Sequence, residues 1–381
     1  MKNMTRKVDR LLDLLILVGY SISFPATLAK RLSGHEQYDR AVMYRAIREG
    51  YVVLIRREGK RQVIRSLQLT DMGEEYIAER DPRALTMIHS RMDMAPQVFP
   101  SREAKILRLH AIATGLVMAR AAGAQISRAD KPSLLFPSVD HPQKPVDNEQ
   151  FYYYSPFELR AAFEELDDRA QSKTSRLIGV IVRGNRCFCM YFAGKQRIYW
   201  QRVSEENHAI GIEGLLQARG FQTTMISQIV IGSRMNVAEK LCRSPRLNGD
   251  RYFVVSDFFD NCHFVTNDAV GDTLLPMILR PTGYLDFNRH ALAGYQPPES
   301  YNRIIDAVEP PTGRPVFLCY NCDLQLLDSL RQQRYGFQEK PIVLCFDYQR
   351  EAIESILQDT AEVRSIDGEG AIETGLINAN D

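Results

Sequence analysis

The chain has 381 residues, of which 45% are hydrophobic and 25% are charged, and its formal net charge is +1. A single hydrophobic core stops growing efficiently near about 250 to 300 residues, so this length predicts two or three domains. No apolar run approaches the length of a membrane span, which excludes an integral membrane protein, and we expect a cytoplasmic protein with no membrane partner.

The charge is unevenly distributed along the chain. Residues 24–68 carry ten basic against four acidic side chains, whereas residues 299–381 carry seven basic against fifteen acidic ones. A basic segment attracts phosphate and an acidic one repels it. The pattern therefore indicates nucleic acid as a partner for the N-terminal region.

The first eighty residues predict three helices followed by a hairpin. Apolar residues recur at helical spacing in residues 6–20, and residues 36–49 form a later helix that Gly50 ends. Between them, Ser23 or the Phe24–Pro25 pair is expected to open a second helix through Leu32. Residues 51–57 and 62–69 alternate like two strands around the turn 58–61. This order is typical of a winged helix, so residues 1–80 are predicted to be a DNA-binding domain with the hairpin as its wing.

Nine polar side chains of the third helix and the hairpin are predicted to contact double-stranded DNA. Guanidinium groups suit both phosphate oxygens and guanine edges. The alternative is a solvated charged face that contacts proteins. The candidate DNA-binding residues are Gln37, Tyr38, Arg40, Arg45, Arg48, Arg56, Arg57, Lys60 and Arg61.

Residues 81–150 are predicted to be a helical connector and a linker. Thr70 is expected to cap a helix to about residue 79, and Ser101 to Ala122 reads as the longest helix of the chain. We expect that long helix to act as a connector or as the interface of a homodimer, with packing against the next domain as the alternative. Four prolines in residues 123–150 favour a linker.

Residues 151–381 are predicted to form an α/β domain. Apolar strand-like runs alternate with helical patterns, and such alternation is typical of strands buried between helices. Helices are expected at 205–219, 236–243, 323–334 and 349–358. Strands are expected at 177–182, 187–192, 197–202, 225–231, 252–255, 315–319 and 341–346.

Two groups of candidate catalytic residues lie in this domain. Tyr152, Tyr153 and Tyr154 offer phenol nucleophiles for DNA strand transfer, although such a run before Pro156 also suits a strand core. Asp257, Asp260 and His263 follow the predicted strand 252–255, where carboxylates can hold Mg²⁺ for phosphodiester cleavage. A polar loop with a helix cap explains residues 256–261 equally well.

Cofactor signals are sparse. No two histidines have the spacing of a metal site and no phosphate-binding loop is present, so no cofactor is expected, with Mg²⁺ only under a nuclease interpretation. Cys319 and Cys322 have the spacing of a zinc pair, but Cys319 ends an apolar run and core cysteines are favoured. The odd count of seven cysteines argues against a disulfide framework.

Several segments resemble one family. They are the Leu-Thr-x-x-Gly-x-x-Tyr pattern ending at Tyr76, the Ser101-Arg102-Glu103 start of the long helix, the run from Tyr154 to Leu159, and the segment from Ser175 to Val180. Together they resemble the replication-relaxation proteins of bacterial plasmids and integrative conjugative elements, over about residues 5–235. The resemblance implies an origin-binding protein whose C-terminal domain has a restriction-endonuclease-like fold. The chain lacks that fold's Pro-Asp followed by Glu-x-Lys, so cleavage is not implied.

Three functional hypotheses follow. The first is a sequence- or origin-binding DNA protein of a mobile genetic element, acting in conjugation or replication as a relaxase-like or accessory factor. The second is a DNA-nicking relaxase or nuclease. The third is a winged-helix transcriptional regulator with a ligand-sensing domain.

Overall fold

The structure is a computed structural model, and it describes residues 9–60, 62–94, 102–136, 143–166, 176–195, 198–243, 252–280, 285–298 and 305–366. The candidate Arg61 and the expected helix start at Ser101 lie outside the described residues. The chain divides into two compact units. The first comprises Met1–Lys173, Ile178–Gly184 and Gly214–Gln222, and the second comprises Thr174–Leu177, Asn185–Glu213 and Thr223–Asp381.

The first unit contains most of the helices and strands before residue 184. In chain order they are α1 (Arg10–Tyr20), β1 (Phe24–Pro25), α2 (Glu36–Arg48), β2 (Val52–Glu58), β3 (Val63–Leu69), α3 (Asp71–Arg80), α4 (Pro82–Met94), α5 (Glu103–Ala121), β4 (Tyr152–Tyr154), α6 (Pro156–Glu165) and β5 (Leu177–Arg183). Strands β4 and β5 pair antiparallel.

Local capping explains where several of these helices begin. The Asp9 carboxylate accepts hydrogen bonds from the first backbone N–H groups of α1. Thr70 accepts one from the Gly73 N–H at 3.2 Å, as the sequence predicts for α3. Ser155 and Glu158 form a capping box at the start of α6, which the sequence reading did not foresee.

The N-terminal strands form an antiparallel sheet in the order β1-β3-β2. The predicted hairpin is confirmed, because Val52 to Glu58 pairs residue by residue with Leu69 to Val63. The prediction that a helix opens at Phe24–Pro25 was wrong, because these two residues form β1 and pair with β3. Only a short 3₁₀ helix, Leu28–Arg31, follows.

Helix α5 is buried along its second half. Ala111, Ala113 and every residue from Thr114 to Ala119 are buried. A helix that is covered on all sides is a core helix. This burial favours the packing alternative over a homodimer interface for that part of α5.

The second unit alternates strands and helices, although residues 214–218 of α7 belong to the first unit. In chain order they are β6 (Arg186–Gly194), α7 (Arg202–Ala218), β7 (Met225–Gly232), α8 (Asn236–Cys242), β8 (Cys262–Thr266), α9 (Ala269–Leu279), α10 (Leu285–Ala291), β9 (Ala307–Val308), β10 (Pro315–Leu318), α11 (Leu324–Arg331), β11 (Ile342–Phe346), α12 (Asp347–Leu357) and β12 (Glu362–Ile366).

Parallel pairing dominates in the second unit. Strands β6, β7 and β8 run parallel side by side. A four-stranded sheet has the order β12-β11-β10-β9, in which β9 is an antiparallel edge strand. The described chain is therefore an α+β protein with both antiparallel and parallel strands.

Two expected strands are absent from the described part of this unit. In the segment 197–202, Tyr199 makes only an isolated bridge with Tyr252, and Arg202 already begins α7. The segment 252–255 likewise has that single bridge and no strand. The sequence reading missed β8, which supplies the third parallel strand instead.

Candidate nucleic-acid interface

Burial fixes the rotational phase of α2. Asp39, Met43 and Ala46 face inward. The inward carboxylate of Asp39 accepts a hydrogen bond from the Ser33 N–H at 2.8 Å, which satisfies a charged group in the buried row. The residues on the outward side are exposed, and they include Gln37, Tyr38, Arg40, Tyr44, Arg45 and Arg48.

The phase separates the centre of the exposed face from its flanks. At about 100° per residue, Gln37 and Arg48 lie within about 30° of the point opposite the buried row. Tyr44 and Arg45 lie about 50° to either side of that point, and Arg40 lies farther out on the side of Tyr44. Tyr44 is 59% exposed and was missed from the sequence, although its spacing of seven residues from Gln37 placed it on the same face.

The arginines of α2 are paired with acids of the same helix. Arg40 lies 2.7 Å from the Glu36 carboxylate and Arg45 lies 2.9 Å from that of Glu49, which Arg48 also approaches at 3.6 Å. The hydrogen bond between their side chains raises the pKa of Arg45 and lowers the pKa of Glu49. Exposed pairs of this kind contribute little net stability, so a phosphate can replace the acid at small cost.

Two arginines face one another across the hairpin. Arg56 of β2 pairs in register with Arg65 of β3, and both are exposed. Like charges directly opposite one another are destabilising, which makes this position suited to an anionic partner. Lys60 at the turn is exposed and Arg57 is half-buried. Arg65 was not among the candidates chosen from the sequence.

The other face of the hairpin packs against α5. The Ser66 hydroxyl lies 2.9 Å from Nε2 of His110, and that nitrogen lies 3.1 Å from the Ser23 hydroxyl. Burial lowers the pKa of His110 to about 4, so the imidazole is neutral near pH 7. At the turn, the Lys60 N–H donates to Oε2 of Glu103 at 3.0 Å. Because strand side chains alternate, Arg56 and Arg65 project from the face opposite Ser66.

The three tyrosines of β4 are core residues. Tyr152, Tyr153 and Tyr154 are all buried. The Tyr153 hydroxyl donates to the Ile178 carbonyl at 3.0 Å and the Tyr154 hydroxyl donates to the Pro132 carbonyl at 2.8 Å. Burial raises the pKa of both phenols, which opposes formation of a nucleophilic phenolate. These contacts favour the strand-core alternative.

Asp257 and Asp260 do not follow a strand. They lie in the loop that precedes β8, and His263 lies within β8 itself. Asp257 pairs with Arg334 at 3.0 Å, while Asp260 accepts a hydrogen bond from the Ile226 N–H at 2.6 Å. Each carboxylate therefore has a separate structural partner.

The described residues contain no group of three or more His, Cys, Asp or Glu side chains placed to hold a metal ion. Cys319 and Cys322 are buried, and burial raises the pKa of both thiols.

Comparisons with protein-family models, with curated proteins and with solved structures found no match for this chain. Within the described ranges, none of the helices has both the length and the apolar character that crossing a membrane requires.

Proposed function

We propose that this protein binds double-stranded DNA through the exposed face of α2 and the β2–β3 hairpin. The order α1, β1, α2, β2, β3, with the sheet order β1-β3-β2, supports interpreting the N-terminal elements as a winged helix. In such domains one helix enters the major groove and the hairpin contacts the flanking backbone. The observation that carries the proposal is the exposed Arg56–Arg65 pair beside an α2 whose outward face is basic and aromatic.

The phase of α2 assigns different roles to its side chains. With 13 residues, α2 spans about 20 Å, which is long enough to lie along the major groove. Gln37 and Arg48, nearest the centre of the exposed face, would meet base edges together with the neighbouring Tyr44. Arg40 and Arg45, which are paired with acids, would exchange their carboxylate partners for phosphates.

The hairpin supplies the backbone contacts. Arg56 and Arg65 offer two guanidinium groups from adjacent strands, which match phosphate oxygens in a bidentate manner. Lys60 extends the positive surface at the turn. Since Glu103 and His110 hold the opposite face of the ribbon, its position is fixed before DNA arrives, which lowers the entropy cost of binding.

Fluorescence anisotropy with labelled duplex DNA, titrated at several salt concentrations, tests the proposal. Replacing Arg56 and Arg65 together with alanine should weaken binding to all duplexes and reduce the slope of log K against log salt by about 2. Tyr44→Ala and Arg48→Ala should instead reduce discrimination between sequences. Arg160→Ala is the control, because Arg160 is an exposed, ion-paired arginine of α6.

Two results would contradict the proposal. One is the absence of duplex binding at low salt. The other is that the Arg56→Ala, Arg65→Ala double variant and the Arg160→Ala control bind DNA equally well with the same salt slope.

The resemblance to replication-relaxation proteins extends the proposal to a target. We propose that the duplex recognised is an origin of transfer or replication on a mobile element. Footprinting on DNA from the element that carries this gene should then protect one segment near the origin. Protection confined to promoters would favour the regulator hypothesis instead.

A further inference from the structure

A cavity of about 310 Å³ lies in the first unit, between the segment 143–148 and the turn that follows α7. Its polar lining consists of the side chains of Gln143, Lys144, Asn148, Arg219 and Gln222. Two of these are cationic, and none of the described residues that line the cavity is acidic. The volume is at the small end of the range for ligand pockets.

Arg219 is held in place by its neighbours. Its Nε donates to the Leu134 carbonyl at 2.7 Å, and its guanidinium carbon lies 4.3 Å from the centroid of the Phe136 ring. A planar guanidinium fixed by a hydrogen bond and by stacking loses little further freedom when it binds an anion. The cavity thus has a preorganised cation in its wall.

Two of the lining side chains have unused hydrogen-bonding atoms. Nη2 of Arg219 and both amide atoms of Gln143 are buried, and within the described ranges none of them has a partner. Folded proteins pair nearly all buried polar groups, so an unpaired group calls for an explanation. Lys144 donates to the Ala129 carbonyl, and its ammonium retains further donors. Two residues that line this cavity therefore carry unpaired hydrogen-bonding atoms.

We propose that the cavity binds a small oxyanion that is free in solution, a molecule bearing a phosphate or carboxylate group. Arg219 and Lys144 supply the positive charge. The amide of Gln143 turns about its side-chain bonds to donate a hydrogen bond to the anion, which pairs an atom that is otherwise unsatisfied. The site is separate from α2 and the hairpin, so it does not depend on the DNA-binding proposal.

Isothermal titration calorimetry with inorganic phosphate, and separately with malonate, tests this site at constant ionic strength in chloride. We expect saturable binding of at least one of these anions at one site per chain. Gln143→Glu places a carboxylate of the same size in the cavity wall, so affinity should fall by about ten-fold or more. The Arg160→Gln control should bind like the wild-type protein, because Arg160 pairs with Glu164 on α6.

A second variant separates charge from geometry. Arg219→Lys retains the positive charge but loses the planar fork, so binding should weaken while remaining measurable. Circular dichroism establishes that each variant is folded. If Gln143→Glu does not fold, Gln143→Met removes the amide without adding charge and should also weaken binding.

Three outcomes would overturn the proposal. The first is that neither anion gives saturable heat at millimolar concentrations. The second is that folded Gln143→Glu binds both anions as tightly as the wild-type protein does. In the third outcome, Gln143→Glu weakens duplex DNA binding while free anions do not bind. The oxyanion would then be a DNA phosphate rather than a free ligand.

Discussion

A buried ion pair in the first unit offers a sharp test of how the N-terminal helices are anchored. The Lys131 ammonium lies 2.7 Å from Oε1 of Glu158, and the side chain of Lys131 is only 1% exposed. The carboxylate also accepts hydrogen bonds from the Ser155 N–H at 2.9 Å and from the Tyr20 hydroxyl at 3.3 Å. Tyr20 ends α1, so this carboxylate links α1 to the start of α6.

Removing only the lysine should be costly. Lys131→Met keeps the length of the side chain but leaves the Glu158 carboxylate buried without its counterion. Loss of one partner from a buried pair costs about 3–5 kcal/mol, which for a chain of 381 residues lowers Tm by about 4–6 °C. Thermal and urea unfolding followed by circular dichroism measure the change.

Removing both charges should restore most of the loss. In Lys131→Met combined with Glu158→Gln, no buried charge remains and the amide still accepts the hydrogen bond from Ser155. We expect the double variant to be more stable than the sum of the single effects by about 2 kcal/mol or more.

The pH dependence of Glu158→Gln adds a signature. Burial lowers the pKa of Lys131, and Glu158 opposes that shift, so without the carboxylate the folded pKa falls further below the unfolded value. The stability of Glu158→Gln should therefore increase as the pH rises toward the unfolded pKa of lysine and fall as the pH drops. Lys131→Met has no ammonium at this position and should lack this trend.

An exposed pair on the same helix is the control. Arg160 and Glu164 lie 2.9 Å apart on the surface of α6, so breaking this pair should cost about 0.5 kcal/mol or less. Equal stability of Lys131→Met and Arg160→Met would refute the expected cost of burying an unpaired carboxylate. The expected recovery would be refuted if Lys131→Met combined with Glu158→Gln were no more stable than the sum of the single effects.

Three further predictions concern single residues. Burial lowers the pKa of His110 from 6.5 to about 4. Stability should therefore be highest above pH 6.5 and should decrease by about 3 kcal/mol as the pH falls to 4. His110→Gln should lack this loss in denaturation measured across that pH range. Glu103→Ala removes the acceptor of the Lys60 N–H, so that amide should exchange with deuterium faster while the exchange of α1 amides is unchanged. A Cβ on Gly271 would lie 1.7 Å from a main-chain carbonyl oxygen, so Gly271→Ala should destabilise the fold by about 3 kcal/mol. A Cβ on Gly214 in α7 meets open space, so Gly214→Ala should stabilise the fold by about 0.5–1 kcal/mol. Urea titrations measure both changes.

The elements that the sequence predicted correctly carry strong local signals. Helix α2 ends before Gly50, whose φ of 77° lies in the left-handed region that glycine adopts most easily. Thr70 caps α3, and alternating residues around a short turn form the β2–β3 hairpin. Each of these signals acts within a few residues, so one sequence is sufficient to recognise it.

The errors concern pairings between distant residues. Phe24–Pro25 becomes a strand because β3, some forty residues away, provides its hydrogen-bond partner. Strand β8 contains His263 between apolar residues and is defined by its parallel neighbour β7, so its own pattern was not recognised. The apolar segment 252–255 finds no such partner in the described chain beyond one bridge.

The exposed face of α2 was predicted in part, and the omission of Tyr44 has a physical cause. The inward row of α2 includes Asp39, an acid that interrupts the apolar pattern from which the phase of a helix is read. Without that phase, the sequence named the arginines of α2 but passed over Tyr44, which lies on the same exposed face. Only the hydrogen bond of Asp39 to the Ser33 N–H explains why a carboxylate faces inward.

The structure shows which charges of the uneven distribution along the chain are neutralised by neighbouring side chains. Several acids of the C-terminal region are neutralised locally, since Glu309 pairs with Arg364 and Glu362 pairs with both Arg364 and Arg314. By contrast, Arg56 and Arg65 form no ion pair with any described residue, although they face one another across the hairpin. Like charges directly opposite one another are destabilising, so an anion bound beside Arg56 and Arg65 would relieve their repulsion. Part of the positive charge of the N-terminal region is thus left uncompensated at the hairpin, on the face that we propose contacts DNA.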